Sequence, residues 1–248
     1  MSLFNLLYTQ AAELKKNNPS LESYLDALFT QNTSLGSLLT SILAQNLQTQ
    51  IHIRLNLNEL FFDLSITCPK LIDMATMDLN MLMEINPLCL NHLIGLLSFK
   101  GYHALQYYRF ANVLWENNQK ELAVLIQHWS STMFSIDIHP AAKISAPVFI
   151  DHGTGVVIGE TSVVESDVAI WQGVSLASKL TNLEDHMDRH PKIRRGAFLG
   201  AGCSILGNIE VGEKAIVGAN SVVTKNVAAG DIVAGAPAKI IGRNRAKV

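Results

Sequence analysis

Two hydrophobic periodicities divide this chain. From residue 3 to about 134, apolar residues recur three and four apart, as in Leu21, Tyr24, Leu25 and Leu28, then Leu35, Leu38, Leu39 and Ile42. That spacing lines one face of an α-helix and predicts a helical half. Asn18 with Pro19 has the pattern of a cap followed by proline at the first helical position, and Pro69 and Pro87 are expected to open later helices. After about residue 136, Val and Ile replace Leu, glycine multiplies and proline marks turns, which predicts many short strands.

The second half repeats every six residues. One run reads Ile138, Ile144, Ile150, Val156, Ser162, Val168, Val174, with one non-aliphatic position; another reads Ile193, Leu199, Ile205, Val211, Val217, Val223, Ala229, all apolar. A six-residue period is the signature of a left-handed parallel β-helix, whose repeated aliphatic points inward and stacks on its equivalents. Small residues four places later, including Ala142, Ala197, Cys203, Ala215 and Ser221, suit its tight turns. The fold class read from the sequence is therefore α+β and multidomain. It comprises an N-terminal helical domain (1–135), a β-helix domain (136–242) and a short tail (243–248). Between the two runs, "ASKLTNLEDHMDRHPK" lacks the repeat and is expected to project as a loop.

Composition narrows the function classes. A formal charge of −2 with no Lys/Arg cluster excludes a nucleic-acid binder by pattern. No apolar run is long enough to span a bilayer, and the opening segment "MSLFNLLYTQAAELKK" has no secretory pattern, so the expectation is a cytoplasmic protein without membrane contact. Cys68, Cys89 and Cys203 form no CxxC pair and read as free thiols. In "FIDHGTGVVIGET", Asp151 and His152 stand before two glycines, an acid and an imidazole at a turn.

The segments "DIHPAAKI", "DHGTGVVIGET", "DRHPKIR", "GAGCSILGNIEVG", "GANSVVTKNV" and "VAGAPAKIIG" together resemble the serine O-acetyltransferase family, and "SLGSLLTSILAQNL" and "LLSFKGYHALQYYRFANVLW" resemble its helical domain. The resemblance implies acetyl transfer from acetyl-CoA to the hydroxyl of L-serine, in cysteine biosynthesis, by a homotrimer or a dimer of trimers. A serine hydroxyl needs a base titrating near neutrality. By resemblance that base is His152, held in its tautomer by Asp137. Arg189 and His190 then face the site from a neighbouring subunit, Arg189 gripping the substrate carboxylate and His190 binding substrate or the tetrahedral oxyanion. Asp151 takes the substrate ammonium. Ala201, Gly202 and Ala219 match coenzyme-contact positions, with Lys239, Arg243 and Arg245 toward the nucleotide phosphates.

Three departures from the family pattern stand out. Asn86 occupies a position that is normally aspartate, which should weaken ammonium binding by about 1 kcal/mol. The family's short glycine-rich loop is replaced by a longer one with no glycine between Gly173 and Gly196, carrying Glu184, Asp185 and His186. Only "RNRAKV" follows Gly242, which argues against the complex that the family's tail makes with a sulfhydrylase. Other readings follow from these departures: an acyltransferase of the same mechanism for another hydroxy amino acid or acyl group, or a non-catalytic paralogue. A zinc site on His152, His186 and His190 is a further alternative, but HxxxH on a loop imposes no common face and no metal is expected.

Overall fold

The computed structural model describes residues 2–51, 55–179 and 188–244. The chain forms two compact units, Met1–His103 and Ala104–Val248. The helices are α1 (Leu3–Asn17), α2 (Glu22–Gln31), α3 (Leu35–Ile51), α4 (Leu57–Thr67), α5 (Lys70–Ile85), α6 (His92–Ser98), α7 (Lys100–Glu116) and α8 (Lys120–Phe134). None of the described helices is long and apolar enough to cross a membrane.

In the first unit the helical spacing becomes a buried core of Leu7, Leu25, Leu28, Leu38, Leu39, Phe61, Leu79 and Leu93. Side-chain caps from Ser2, Asn56 and Asn91 satisfy amides that each helix start leaves open. Pro19 opens a short 3₁₀ turn, but Asn18 makes no side-chain cap bond to it. Pro69 directly precedes α5. Pro87 opens no helix, because α6 starts five residues later, capped by Asn91.

The second unit begins inside α7, so the change of sequence grammar near 136 marks the first strand and not the start of the compact unit. The first coil is β1 (Ile136–Ile138), β2 (Lys143–Ile144) and β3 (Val148–Ile150); the second is β4 (Val156–Ile158), β5 (Val163–Val164) and β6 (Val168–Ile170). The third is β7 (Ser175–Ala177), β8 (Lys192–Ile193) and β9 (Phe198–Leu199), and the fourth β10 (Ser204–Leu206), β11 (Glu210–Val211) and β12 (Ile216–Val217). Strands β13 (Val222–Val223) and β14 (Asp231–Ala234) follow, and β15 (Lys239–Arg243) returns antiparallel on β14. Equivalent strands stack in parallel into three sheets: β1-β4-β7-β10-β13, β2-β5-β8-β11 and β3-β6-β9-β12-β14-β15. The result is a three-sided parallel β-helix, as the six-residue repeat requires.

The register corrects the reading of that repeat. Ile138 pairs with Ile158, twenty residues on, whereas Ile158 pairs with Leu176, eighteen on. Two extra residues sit in the corner between β3 and β4, so the inward column is Ile150, Ile158, Val164, Ile170, Leu176 and not Val156, Ser162, Val168, Val174. The latter four are also buried, two residues ahead of the column, which is why both phases look apolar. Ala229 leaves the series too: Val217 pairs with Val233, and Ala229 is exposed.

Both ends of the coil are closed, which removes the open strand edges that invite aggregation. At the first coil, the Tyr108 hydroxyl donates to Ala142 O at 2.6 Å and accepts from Ile144 N at 3.1 Å. Arg109 donates to Ser145 O at 3.0 Å, and Asn112 to Pro140 O at 2.8 Å. At the other end β15 covers β14.

Candidate active site

The corner between sheet three and sheet one carries His152. Its two-residue insertion is accommodated by left-handed backbone at His152 (φ 52°) and Gly153 (φ 74°). A side chain at residue 153 would not fit, since a Cβ there would lie 2.3 Å from Ile136 Cδ1. The His152 side chain is 70% exposed, and its Nε2 lies 3.6 Å from Oδ2 of Asp151, whose own side chain is 16% exposed. That is an ion-pair distance and too long for a hydrogen bond.

Asp137 points out of sheet one between the buried Ile136 and Ile138. Its Oδ1 accepts a 2.6 Å hydrogen bond from Gln127 Nε2 on α8. Among the described residues the carboxylate beside the His152 ring is thus that of Asp151, and the partner of Asp137 is Gln127. No hydrogen bond or ion pair joins Asp137 to His152 among the described residues.

Above His152 the same corner recurs at Gln172–Gly173, Ala201–Gly202 and Ala219–Asn220. These turns form a ladder: Gly173 N donates to Thr154 O, Gly202 N to Gln172 O and Asn220 N to Ala201 O, at 2.9, 2.8 and 2.8 Å. Gly173 and Gly202 have φ of 72°, and their Cα atoms approach so closely that a Cβ on Gly173 would lie 3.3 Å from Gly202 Cα. Three of the predicted coenzyme positions, Ala201, Gly202 and Ala219, therefore share a narrow, small-residue edge with His152. Lys239 is exposed on β15, and Arg243 Nε donates to Asp231 Oδ1 at 3.1 Å.

Arg189 and His190 occupy a different corner, between sheets one and two, where the loop returns to β8. Arg189 Nη2 donates to Glu160 Oε2 at 2.8 Å, and its amide donates to Thr161 Oγ1 at 3.0 Å. His190 is 7% exposed, and its Nδ1 accepts from Thr161 N at 3.1 Å. Burial holds the His190 pKa below the ordinary histidine value and the Arg189 charge adds to this, with Glu160 opposing. His139 stands one coil below, its ring edge-on to Trp115 with centroids 5.1 Å apart, and its Nδ1 accepts from Ala141 N at 3.1 Å. Burial lowers its pKa as well, against the pull of Glu160 and Asp137.

The predicted residues thus fall into separate places. His152, Asp151, Ala201, Gly202 and Ala219 share one corner, Arg189 and His190 another, Asp137 lies on β1, Lys239 on β15, and Asn86 ends α5 in the helical unit, where its Oδ1 accepts from Leu88 N at 2.9 Å. Glu184, Asp185, His186 and Arg245 lie outside the described residues. Among the described residues no three metal-ligating side chains converge. Sequence reasoning missed Gln127, His139, Glu160 and Thr161. His139 of "DIHP" and the pair in "GET" were visible as polar residues directly after strands, at corners where side chains leave the coil.

Comparison with known proteins matches this architecture. Residues 3–107 match the family model for the serine acetyltransferase N-terminal region, and residues 190–225 match that of the bacterial transferase hexapeptide (six repeats). A serine acetyltransferase of Haemophilus influenzae is 42% identical over 96% of this chain and 88% of its own. A Brucella abortus serine acetyltransferase crystallised in complex with coenzyme A superposes with a TM-score of 0.91, at 36% identity over 96% of this chain and 94% of that one. A serine acetyltransferase in complex with cysteine gives 0.92, at 41% identity over 97% and 93%. With this identity sustained across both units, the chain belongs to the serine acetyltransferase family.

Proposed function

We propose that this chain transfers the acetyl group of acetyl-CoA to the hydroxyl of L-serine, with His152 as general base. The serine oxygen attacks the thioester carbonyl carbon as His152 takes its proton, and a tetrahedral oxyanion forms. The oxyanion collapses with cleavage of the C–S bond, and the departing CoA thiolate recovers the proton from the imidazolium. Atoms and charge balance with O-acetylserine and CoA as products. A positioned base of this kind contributes about 10² to 10⁴ in rate.

The observation that carries this reading is the column of small corner residues leading to His152 (Thr154, Gly173, Ala201–Gly202, Ala219). It offers an extended thiol arm a narrow track ending at an exposed imidazole. Relatives solved with coenzyme A and with cysteine, which is serine with sulfur in place of the hydroxyl oxygen, support the same pair of ligands. Asp151 is assigned to the substrate ammonium and Arg189, whose guanidinium also donates to Glu160, to the substrate carboxylate. Ala201, Gly202, Ala219 and Lys239 are assigned to the coenzyme, and Asp137, anchored by Gln127, to electrostatic support of the imidazolium.

His152 and His190 sit on different corners of one prism, so the reaction needs two chains: one supplies His152, its neighbour Arg189 and His190. The faces of the coil support association. Sheet two presents Lys143, Val163, Lys192 and Glu210 outward, whereas sheet three presents the half-buried Phe198, Ile216 and Ile232, beside Phe149 and Ala169, which are already buried within the chain. A trimer about a threefold axis covers such an apolar face and places unlike corners together.

Asn86 favours one second reading, an acceptor other than serine, because its side chain caps its own turn through Leu88 N and carries no charge. CoA release from acetyl-CoA, measured across L-serine, L-threonine and L-homoserine, separates the two. The serine reading requires L-serine to give the highest kcat/KM, and a clear preference for another acceptor refutes it.

A further inference from the structure

The side-chain hydroxyl of Thr161 is held in the Asp188–His190 segment and also hydrogen-bonds the Asp188 side chain. Its Oγ1 accepts from Arg189 N and from His190 N, each at 3.0 Å, and lies 2.9 Å from His190 Nδ1. A hydroxyl has two acceptor lone pairs and one proton. Two amides take the lone pairs, and the one proton serves both Nδ1 and the Asp188 carboxylate beside it. The main-chain amide of Thr161 also donates to Nδ1, at 3.1 Å. A main-chain N–H can only donate, so Nδ1 is an acceptor and the neutral imidazole carries its proton on Nε2.

Gly159 supplies the seat for that ring. A Cβ at residue 159 would lie 2.2 Å from both Nε2 and Cδ2 of His190. Gly159 is not among the residues with left-handed backbone, so the space under the imidazole and not the main-chain conformation demands glycine here. Thr161 fixes one edge of the ring and Gly159 leaves room for the other.

We propose that Thr161 and Gly159 are positioning residues that hold His190 as a neutral imidazole protonated on Nε2. His190 thereby donates a hydrogen bond to the forming oxyanion and is not a second base. The inference rests on the assignment of His190 to the acetyl-transfer site. The division of labour follows from the two corners: exposed His152 exchanges a proton, while buried His190 keeps its own.

The test is a set of variants of the full chain, T161V, T161S and G159A, each made with His190 and in the H190A background. With His190 present, T161V and G159A should lower kcat about 10²-fold, the loss expected from misplacing a reacting group by about 1 Å, with less effect on KM. T161S should recover most of the T161V loss. In the H190A background T161V and G159A should change kcat less than twofold. Nitrogen-15 NMR of histidine-labelled protein, with the His190 signals assigned by difference from H190A, should show Nδ1 unprotonated and Nε2 protonated near pH 7. Equal losses in both backgrounds, or an Nδ1-protonated ring, would overturn the proposal. If H190A alone keeps full activity, the placement of His190 in the site falls instead, and the NMR arm still reports the tautomer. G159A keeps the test decisive should T161V fail to fold.

Discussion

Replacing His152 with glycine separates chemistry from folding. His152 has a β-carbon at φ 52°, a conformation that costs an L-residue about 1–2 kcal/mol. Glycine removes this strain but returns about 0.5–1 kcal/mol as extra freedom of the unfolded chain. The imidazole is 70% exposed and lies 3.6 Å from Asp151, so its loss removes little packing, and an ion pair with Asp151, worth about 0–1 kcal/mol, is lost only from the protonated ring. The balance leaves His152→Gly within about 1 kcal/mol of the parent, a melting shift of only a few degrees for a unit of this size. His152→Ala keeps the strain and should be no more stable than His152→Gly. Activity behaves differently: loss of the base should cut kcat 10²- to 10⁴-fold, about 3–5 kcal/mol of transition-state stabilisation. Steady-state acetyl transfer and thermal melts on the same preparations test this. The reasoning is refuted if His152→Gly keeps activity within tenfold, or if it loses activity only in proportion to a large drop in melting temperature.

Two further outcomes follow from the coil. Burial pushes the Cys203 thiol up to about 12, so it should resist thiol reagents in the native protein and react once denaturant unfolds it. Because its folded pKa lies above its unfolded one, its contribution to stability is complete below the ordinary thiol range and lost as pH rises toward 12, which alkaline melts of the parent and Cys203→Ala would show. Gly200→Ala would place a Cβ 2.7 Å from both Ala219 N and Val217 O, backbone atoms of the next coil. Such overpacking should cost about 3 kcal/mol, visible as a lower denaturation midpoint, and a neutral result would contradict the close stacking at this corner.

The architecture was legible because period, unlike phase, survives local irregularity. Six-residue recurrence of aliphatics demands a three-sided coil wherever it starts. The phase was misread after Ile150 because Val156 and Ile158 both point inward, two residues apart, so an insertion of two leaves the apolar pattern apparently unbroken. That insertion is itself the His152 corner. Asp151, His152, Arg189 and His190 were nameable from their motifs, but their distribution over two corners depends on counting strands around the prism. Partners such as Gln127 for Asp137 and Thr161 for His190 come from distant segments, 10 and 29 residues away. No local pattern encodes those distances.

Subunit complementation tests the central claim, that His152 of one chain and His190 of its neighbour form one site. His152→Ala and His190→Ala chains, each strongly impaired alone, are unfolded together at equal concentration and refolded, and the mixture is assayed for acetyl transfer. Random assembly about a threefold axis leaves about one site in four with both imidazoles, so the mixture should regain about a quarter of parental activity. A mixture that assembles fully yet stays as inactive as its components would place both imidazoles in a single chain and contradict the account.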